Sequence, residues 1–194
     1  MSQEIVLLHS ALGLRPAILD WATWLRAAGH RVHTPDVLDG ETFTTVEEAI
    51  RRRDAVGIPE LIRRTWAAMA DLPAELVFVG WSAGAAAAEL LAATRPGAKA
   101  AILLHGVVPL AVMGAGRWPA SVPVQIHYAK NDPWVPEAGL QAFRSAVASA
   151  GSPVEVFTYD GGVPHMFDDA GLPGHAPDAT ALMRERIAGF LAQL

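Results

Sequence analysis

The sequence predicts a single α/β domain over residues 1–194: a doubly wound, mostly parallel sheet of about six or seven strands with helices on both faces. Three observations predict it. Short apolar runs such as Ile5-Val6-Leu7-Leu8 and Leu76-Val77-Phe78-Val79 read as strands buried on both faces. Amphipathic stretches of helical period separate these runs, which is the alternation of a parallel sheet. Finally, Ser82, Asp132 and His165 each fall just after a predicted strand, at the sheet edge where such folds bind ligands.

The elements follow in order. The first strand, 5–8, ends in the small-residue loop His9-Ser10-Ala11-Leu12-Gly13. Pro16 opens a helix through Ile18, Trp21, Trp24, Leu25 and Ala28, and Gly29 stops it. Residues 31–36 read as a second strand running into a turn, with Asp39-Gly40 as further punctuation. In the polar segment 41–54, Thr45-Val46-Glu47-Glu48 marks a helix start; Arg51-Arg52-Arg53 reads as a solvated face, with an arginine reaching an anionic substrate as the alternative. The run 61–72 is another helix, carrying Leu61, Ile62, Thr65, Trp66 and Met69 on one face and ended by Pro73.

The strand 76–79 then leads into an alanine-rich helix from Ala83 to about Thr94, closed by Pro96-Gly97. Strand 100–104 delivers His105 and Gly106 to the same edge as Ser82. The apolar loop 107–119 holds Met113 and Trp118 and is either a core satellite or a wall over the site. Strand 122–129, a helix from Glu137 to about Ala150 and an outer strand 154–159 follow. A last helix over 178–194 turns Leu182, Ile187, Phe190 and Leu191 inward.

Composition narrows the function. Hydrophobic residues make up 52% and charged residues 18%, the balance of a globule rather than a disordered chain. A net charge of −5 without any Lys/Arg block argues against nucleic-acid and anionic-membrane partners. With no cysteine there is no disulfide, thiolate metal site or cysteine nucleophile. The pairs His30/His33 and His165/His175 lack metal-ligand spacing, so neither metal nor cofactor is expected. The opening Met1-Ser2-Gln3-Glu4 lacks the basic flank of a signal peptide, which makes the expectation cytoplasmic. The apolar run 98–116 approaches spanning length, but Lys99 and Pro109 make it a strand plus loop. The expected partner is a small molecule, and the expected state is a monomer or homodimer.

The motif carrying the chemistry is Gly80-Trp81-Ser82-Ala83-Gly84, at a strand-to-helix turn. In that context it reads as a nucleophile elbow rather than a serine N-cap after a glycine-rich loop. The glycines let strand and helix approach, and the helix start leaves the Ala83 N–H free for a developing oxyanion. A second donor is expected from the loop after the first strand, at Ala11. A serine hydroxyl needs a base, for which His165 is the candidate, and Asp132 is the candidate that orients it. His9 and His127 read as structural, whereas His105 follows a strand and lines the pocket. Ser10, Trp81, Met113, Trp118 and Trp134 complete the expected pocket wall.

Taken together, these stretches resemble the dienelactone hydrolase family of α/β-hydrolases over nearly the whole chain. The resemblance rests on residues 6–14, Gly29-His30 through Thr34-Pro35-Asp36, the Gly80–Gly84 motif, Asn131-Asp132-Pro133-Trp134-Val135-Pro136, and His165 with Phe167. It implies the α/β-hydrolase fold and metal-free hydrolysis of an ester or lactone by a Cys/Ser–Asp–His triad. Several positions depart from the family. Ser82 stands in place of the family's cysteine, Ser10 in place of its glutamate, and Pro164 in place of the glycine before the histidine. Met166-Phe167-Asp168-Asp169 supplies no substrate-holding arginine, so dienelactone is not the expected substrate. The resulting expectation is a serine hydrolase for esters or lactones. The alternatives are an acyl-thioesterase or peptidase with the same triad, or a catalytically silent binding module on a hydrolase fold.

Overall fold

Residues 1–194 are described by a computed structural model. In the central strands nearly every side chain is apolar, so the two-residue period of a strand must supply two cores at once. In β1 (Glu4–Leu8), Ile5 and Leu7 enter one core while Val6 and Leu8 enter the other. The same parity divides Val77, Val79 and Trp81 from Leu76 and Phe78 in β3 (Leu76–Trp81). It divides Ala100, Ile102 and Leu104 from Ala101 and Leu103 in β4 (Ala98–Leu104).

Six parallel strands form one sheet in the order β2-β1-β3-β4-β5-β6, where β2 is Arg31–His33, β5 Val124–Ala129 and β6 Val154–Tyr159. One face is covered by α1 (Pro16–Ala27) and α7 (Pro177–Leu191), through Ile18, Trp21 and Leu25 of the first and Met183 and Ile187 of the second. The other is covered by α4 (Ala83–Thr94) and α6 (Glu137–Ser149), through Ala85, Ala88, Leu91, Phe143 and Val147. Strand order reverses between β1 and β3, so the crevice above their carboxyl ends is the switch point where doubly wound sheets bind ligands. The loop after β1 carries Ala11, and the turn after β3 carries Ser82.

Local signals explain several boundaries. Thr45 caps α2 (Val46–Val56) by accepting the Glu48 N–H at 3.4 Å, with Glu47 and Glu48 in the first turn. Arg52 of α2 pairs with Glu41, and Arg53 with its neighbour Asp54 at 2.8 Å. Helix α3 (Ile58–Ala68) begins earlier than its apolar run because Pro59 fits the first turn, and it stops before Met69. The second strand ends at His33, shorter than the expected 31–36, and the apolar loop contains a single helical turn, α5 (Leu110–Met113). Residues 98–116 resolve into β4, a loop and α5, and no helix is long and apolar enough to cross a membrane.

One expectation for the last helix fails. Leu182 is 40% exposed, because the inward stripe of α7 runs through Thr180, Met183, Ile187 and Phe190, at helical spacing that leaves position 182 outside.

A buried acid sits under this architecture. Glu89 of α4 is fully buried; one carboxyl oxygen accepts the Val108 N–H at 3.0 Å and the other has no partner. Burial pushes its pKa up to about 8, against the opposing pull of that N–H, so the folded protein holds the proton at neutral pH. The folded state therefore binds the proton more tightly than the unfolded chain, and the associated stability is lost as pH rises through that value. Between about pH 5 and about pH 8 the melting temperature should fall and then level off, the ionisation of Glu89 contributing up to about 1.4 kcal/mol per pH unit. Glu89→Gln should flatten that slope, which differential scanning fluorimetry across the pH range would read.

Candidate active site

Close backbone approach shapes the turn after β3. A β-carbon on Gly80 would lie 2.1 Å from the Gly84 carbonyl oxygen, and one on Gly84 would lie 2.1 Å from the Leu8 carbonyl oxygen. Only glycine permits strand, turn and helix to pack at these distances. Between them Ser82 adopts φ 52° and ψ −111°, a conformation disfavoured for a residue bearing a side chain. Strain recurs around the same edge: His105, Asn131 and Met166 also have positive φ, and each is or adjoins a residue of the site.

The three strand-end residues meet there. His165 Nε2 lies 3.1 Å from Ser82 Oγ, and His165 Nδ1 lies 2.8 Å from Asp132 Oδ2. Asp132 is buried, and its other oxygen accepts the Trp134 N–H at 2.9 Å, which fixes the carboxylate plane. An imidazole whose Nδ1–H donates to a carboxylate presents the Nε2 lone pair to the hydroxyl, the arrangement of a general base. Pro164 does not prevent it. Gly174 packs against the proline ring so tightly that a β-carbon there would lie 2.6 Å from it, and the following turn delivers the imidazole to Ser82.

Two backbone donors face the same cleft. Ala83 opens α4 and has no acceptor within the helix. The Ala11 N–H, in the turn after β1, makes no hydrogen bond. Both residues line a cleft of about 300 Å³ with Ser82, His105, Trp134 and His165. Ser10 lines it as well, its hydroxyl accepting the Leu12 N–H at 3.1 Å to hold the loop in shape. Trp134 is half exposed and its ring lies 6.0 Å from that of His165. Met113 lies outside this cleft, on an apolar cavity that adjoins it.

Two expected wall residues are elsewhere. Trp81 is fully buried between the sheet and α1, since it shares the parity of Val77 and Val79 and so points to the face opposite α4. Trp118 is buried against Phe143 of α6 and donates to the Val122 carbonyl at 2.7 Å, and it does not line the cleft of Ser82 and His165. The structural histidines behave as their neighbours require. His127 bonds Tyr159 and Gln125, and burial, with the charges of His105 and Arg186 beside it, lowers its pKa to about 3. His9 is also lowered, chiefly by burial; its Nδ1–H donates to the Ser10 carbonyl and its Nε2 accepts from Val37.

The sequence alone did not single out Asp168 as a structural centre. Its buried carboxylate accepts the indole N–H groups of Trp81 at 2.6 Å and Trp21 at 2.9 Å on one oxygen, and His105 Nε2 at 2.8 Å on the other. Burial favours its neutral form, but His105 and the Trp81 N–H outweigh that and hold its pKa below the ordinary value. Next to it, Asp169 pairs with buried Arg15 at 2.6 Å. The available signal was two adjacent carboxylates after Met166-Phe167 in a chain with buried tryptophans whose N–H groups need acceptors. His105, Asp132 and His165 also place one potential metal-ligand atom each within 4.8 Å of one another, but Asp132 and His165 are already joined by their own hydrogen bond.

The model of the dienelactone hydrolase family matches residues 2–194. No curated protein matches the chain. Among solved structures, the chain is similar to a dienelactone hydrolase-like promiscuous phosphotriesterase from metagenomic libraries, with TM-score 0.82, 21% identity, and coverage of 99% of this chain and 86% of that one. It is similar to a candidate dienelactone hydrolase from Klebsiella pneumoniae, with TM-score 0.77, 18% identity, and coverage of 100% and 88%. Mouse alpha/beta hydrolase domain-containing protein 10 gives TM-score 0.71 at 13% identity, covering 100% and 91%. At such identities the likeness speaks to the fold, which is that of the α/β-hydrolases.

Removing the Asp168 carboxylate would leave the N–H groups of Trp21 and Trp81 buried without acceptors, each costing about 1–3 kcal/mol. Asp168→Ala should therefore lower unfolding free energy in urea by at least about 2 kcal/mol. Asp169→Ala, which strands the buried Arg15 guanidinium, should cost about 3–5 kcal/mol in the same measurement.

Proposed function

The chain belongs to the dienelactone hydrolase family, and on that premise we propose that it is a serine hydrolase cleaving carboxylic esters or lactones through an acyl-enzyme. Family membership supports hydrolase activity; the finer reading rests on the hydrogen-bond chain Ser82–His165–Asp132 at 3.1 and 2.8 Å. In it Ser82 is the nucleophile, His165 the general base and acid, and Asp132 the orienting carboxylate.

Ser82 Oγ attacks the carbonyl carbon as its proton passes to His165 Nε2, and the carbonyl oxygen becomes an oxyanion facing the Ala83 and Ala11 amides. Collapse of the tetrahedral adduct breaks the bond to the alkoxy oxygen, which takes the proton from His165 and leaves as the alcohol. In a lactone that alcohol stays attached to the acyl group. Water then repeats the sequence: its proton goes to His165, its oxygen attacks the acyl carbon, and Ser82 leaves with the returned proton. Asp132 compensates the imidazolium formed at each half-reaction. A thioester or peptide bond would pass through the same steps with a different leaving group. The 3.1 Å contact weighs against a silent binding module, in which nucleophile and base would stand apart.

A fluorophosphonate probe should form a stoichiometric adduct on Ser82, located by peptide mass spectrometry, with Ser82→Ala unlabelled. Ser82→Ala and His165→Ala should each lower kcat/KM for an activated ester by on the order of 10⁴-fold or more, with an unchanged circular dichroism spectrum. Full activity in either variant refutes the assignment.

A further inference from the structure

The catalytic cleft does not end at the triad. It continues into a mostly apolar cavity of about 430 Å³ that shares Ser10, Ala11, Arg53, Ile58, Ala83, Ala86 and Val108 with it, while Ser82 and His165 line only the cleft. The floor of this cavity is one stripe of α4, Ala83, Ala86, Ala87 and Leu90, at the i, i+3, i+4, i+7 spacing of a single helix face. The stripe of α4 that packs beneath the sheet, through Ala85, Ala88 and Leu91, is fully buried, whereas Ala86, Ala87 and Leu90 are only half-buried. The opposite wall is Ile58, Leu61 and Ile62 of α3, and Val112 and Met113 of α5 close one side. Ile58, Ile62 and Val112 are among the few large apolar side chains of the molecule left exposed.

Direction in the active site assigns an occupant. His165 must protonate the departing alkoxy group, so the alcohol part of an ester lies on the His165 and Trp134 side of the cleft. The other substituent of the carbonyl then points away from His165, across Ala83 and Ala11, into the apolar cavity. We infer that this cavity is an acyl-chain site, and that the enzyme prefers esters of medium-length, unbranched, uncharged fatty acids. The inference rests on the serine hydrolase reading above and extends it from reaction to substrate class.

The mostly apolar walls suit that ligand. They hold no carboxylate and one cation, Arg53, which already pairs with Asp54. His9 reaches the cavity, but its two ring nitrogens are engaged by Ser10 and Val37. From Ala83 to Leu90 the floor rises seven residues, roughly 10 Å, which accommodates an extended chain of about eight carbons. The volume lies within the usual range for small-molecule sites.

The test is kcat/KM for p-nitrophenyl esters of straight-chain acids from acetate to dodecanoate, so that only the acyl chain changes. Burial of a methylene is worth about 0.8 kcal/mol, so kcat/KM should rise roughly fourfold per carbon and level off near about eight carbons. Ala87→Phe, which places a ring over the floor, should cut the octanoate-to-acetate ratio by roughly tenfold or more. Ile62→Glu tests the same wall at an exposed position that folding tolerates, and should lower that ratio in the same direction. Acetate turnover with Ser82 labelled, but a flat chain-length profile, overturns the acyl-chain site and leaves the serine hydrolase reading standing. If Ile62→Glu changes the sedimentation coefficient and not the ratio, the apolar rim is a contact between copies and the inference fails. Absence of both labelling and turnover refutes the two readings together.

Discussion

One buried carboxylate holds the site's supporting elements in register. Asp168 gathers an N–H from Trp21 on α1, one from Trp81 at the end of β3 and one from His105 after β4, while lying three residues beyond His165 on its loop. An unpartnered carboxylate in that position would be too costly to bury ionised, and three unsatisfied donors would be comparably unfavourable. Satisfying each other, they tie the strand leading to Ser82 to the loop carrying His165. The 3.1 Å separation of Ser82 and His165 thus depends on contacts made on the far side of the sheet from α4.

The elbow contributes the complementary constraint. Backbone packs against backbone at Gly80, Gly84 and Gly106, so the turn has no room to relax, and Ser82 is held at a positive φ. Such strain persists only where surrounding structure over-determines it, and here the sheet, α4 and the loop after β1 all press on the same few atoms. The same crowding draws the Ala11 and Ala83 amides to one cleft, since Gly84 rests directly on the Leu8 and His9 carbonyls that lead into the Ala11 turn.

Polarity is distributed unevenly around this centre. On the α1 and α7 side of the sheet, Trp21, Trp81 and His105 all bond to the Asp168 carboxylate inside an apolar layer, and only the Nδ1 of His105 is left without a partner. On the α4 side, next to the Ser82 cleft, the walls are mostly apolar, with Arg53 as their one cation, and the buried acid Glu89 holds a proton rather than a charge. A largely apolar wall strengthens any hydrogen bond made beside it, because little water competes for the donor and acceptor.

The sequence by itself determined the strand and helix alternation, the two-faced parity of the central strands and the place of Ser82, Asp132 and His165 at strand ends. All of these are written in neighbouring residues, as periods of two or of about 3.6 and as the glycine spacing around one serine. The parity of Trp81 with Val77 and Val79 was legible too, but which face would carry the cleft was not, so Trp81 and Trp118 were expected at a wall they do not reach. Only the tertiary structure decided that, and it also made Asp168 the centre of the network and left one stripe of α4 uncovered. The partners of Asp168 lie 63, 87 and 147 residues away along the chain. No local pattern records such pairings, because a buried carboxylate and the donors that satisfy it meet only after the sheet has brought distant segments together.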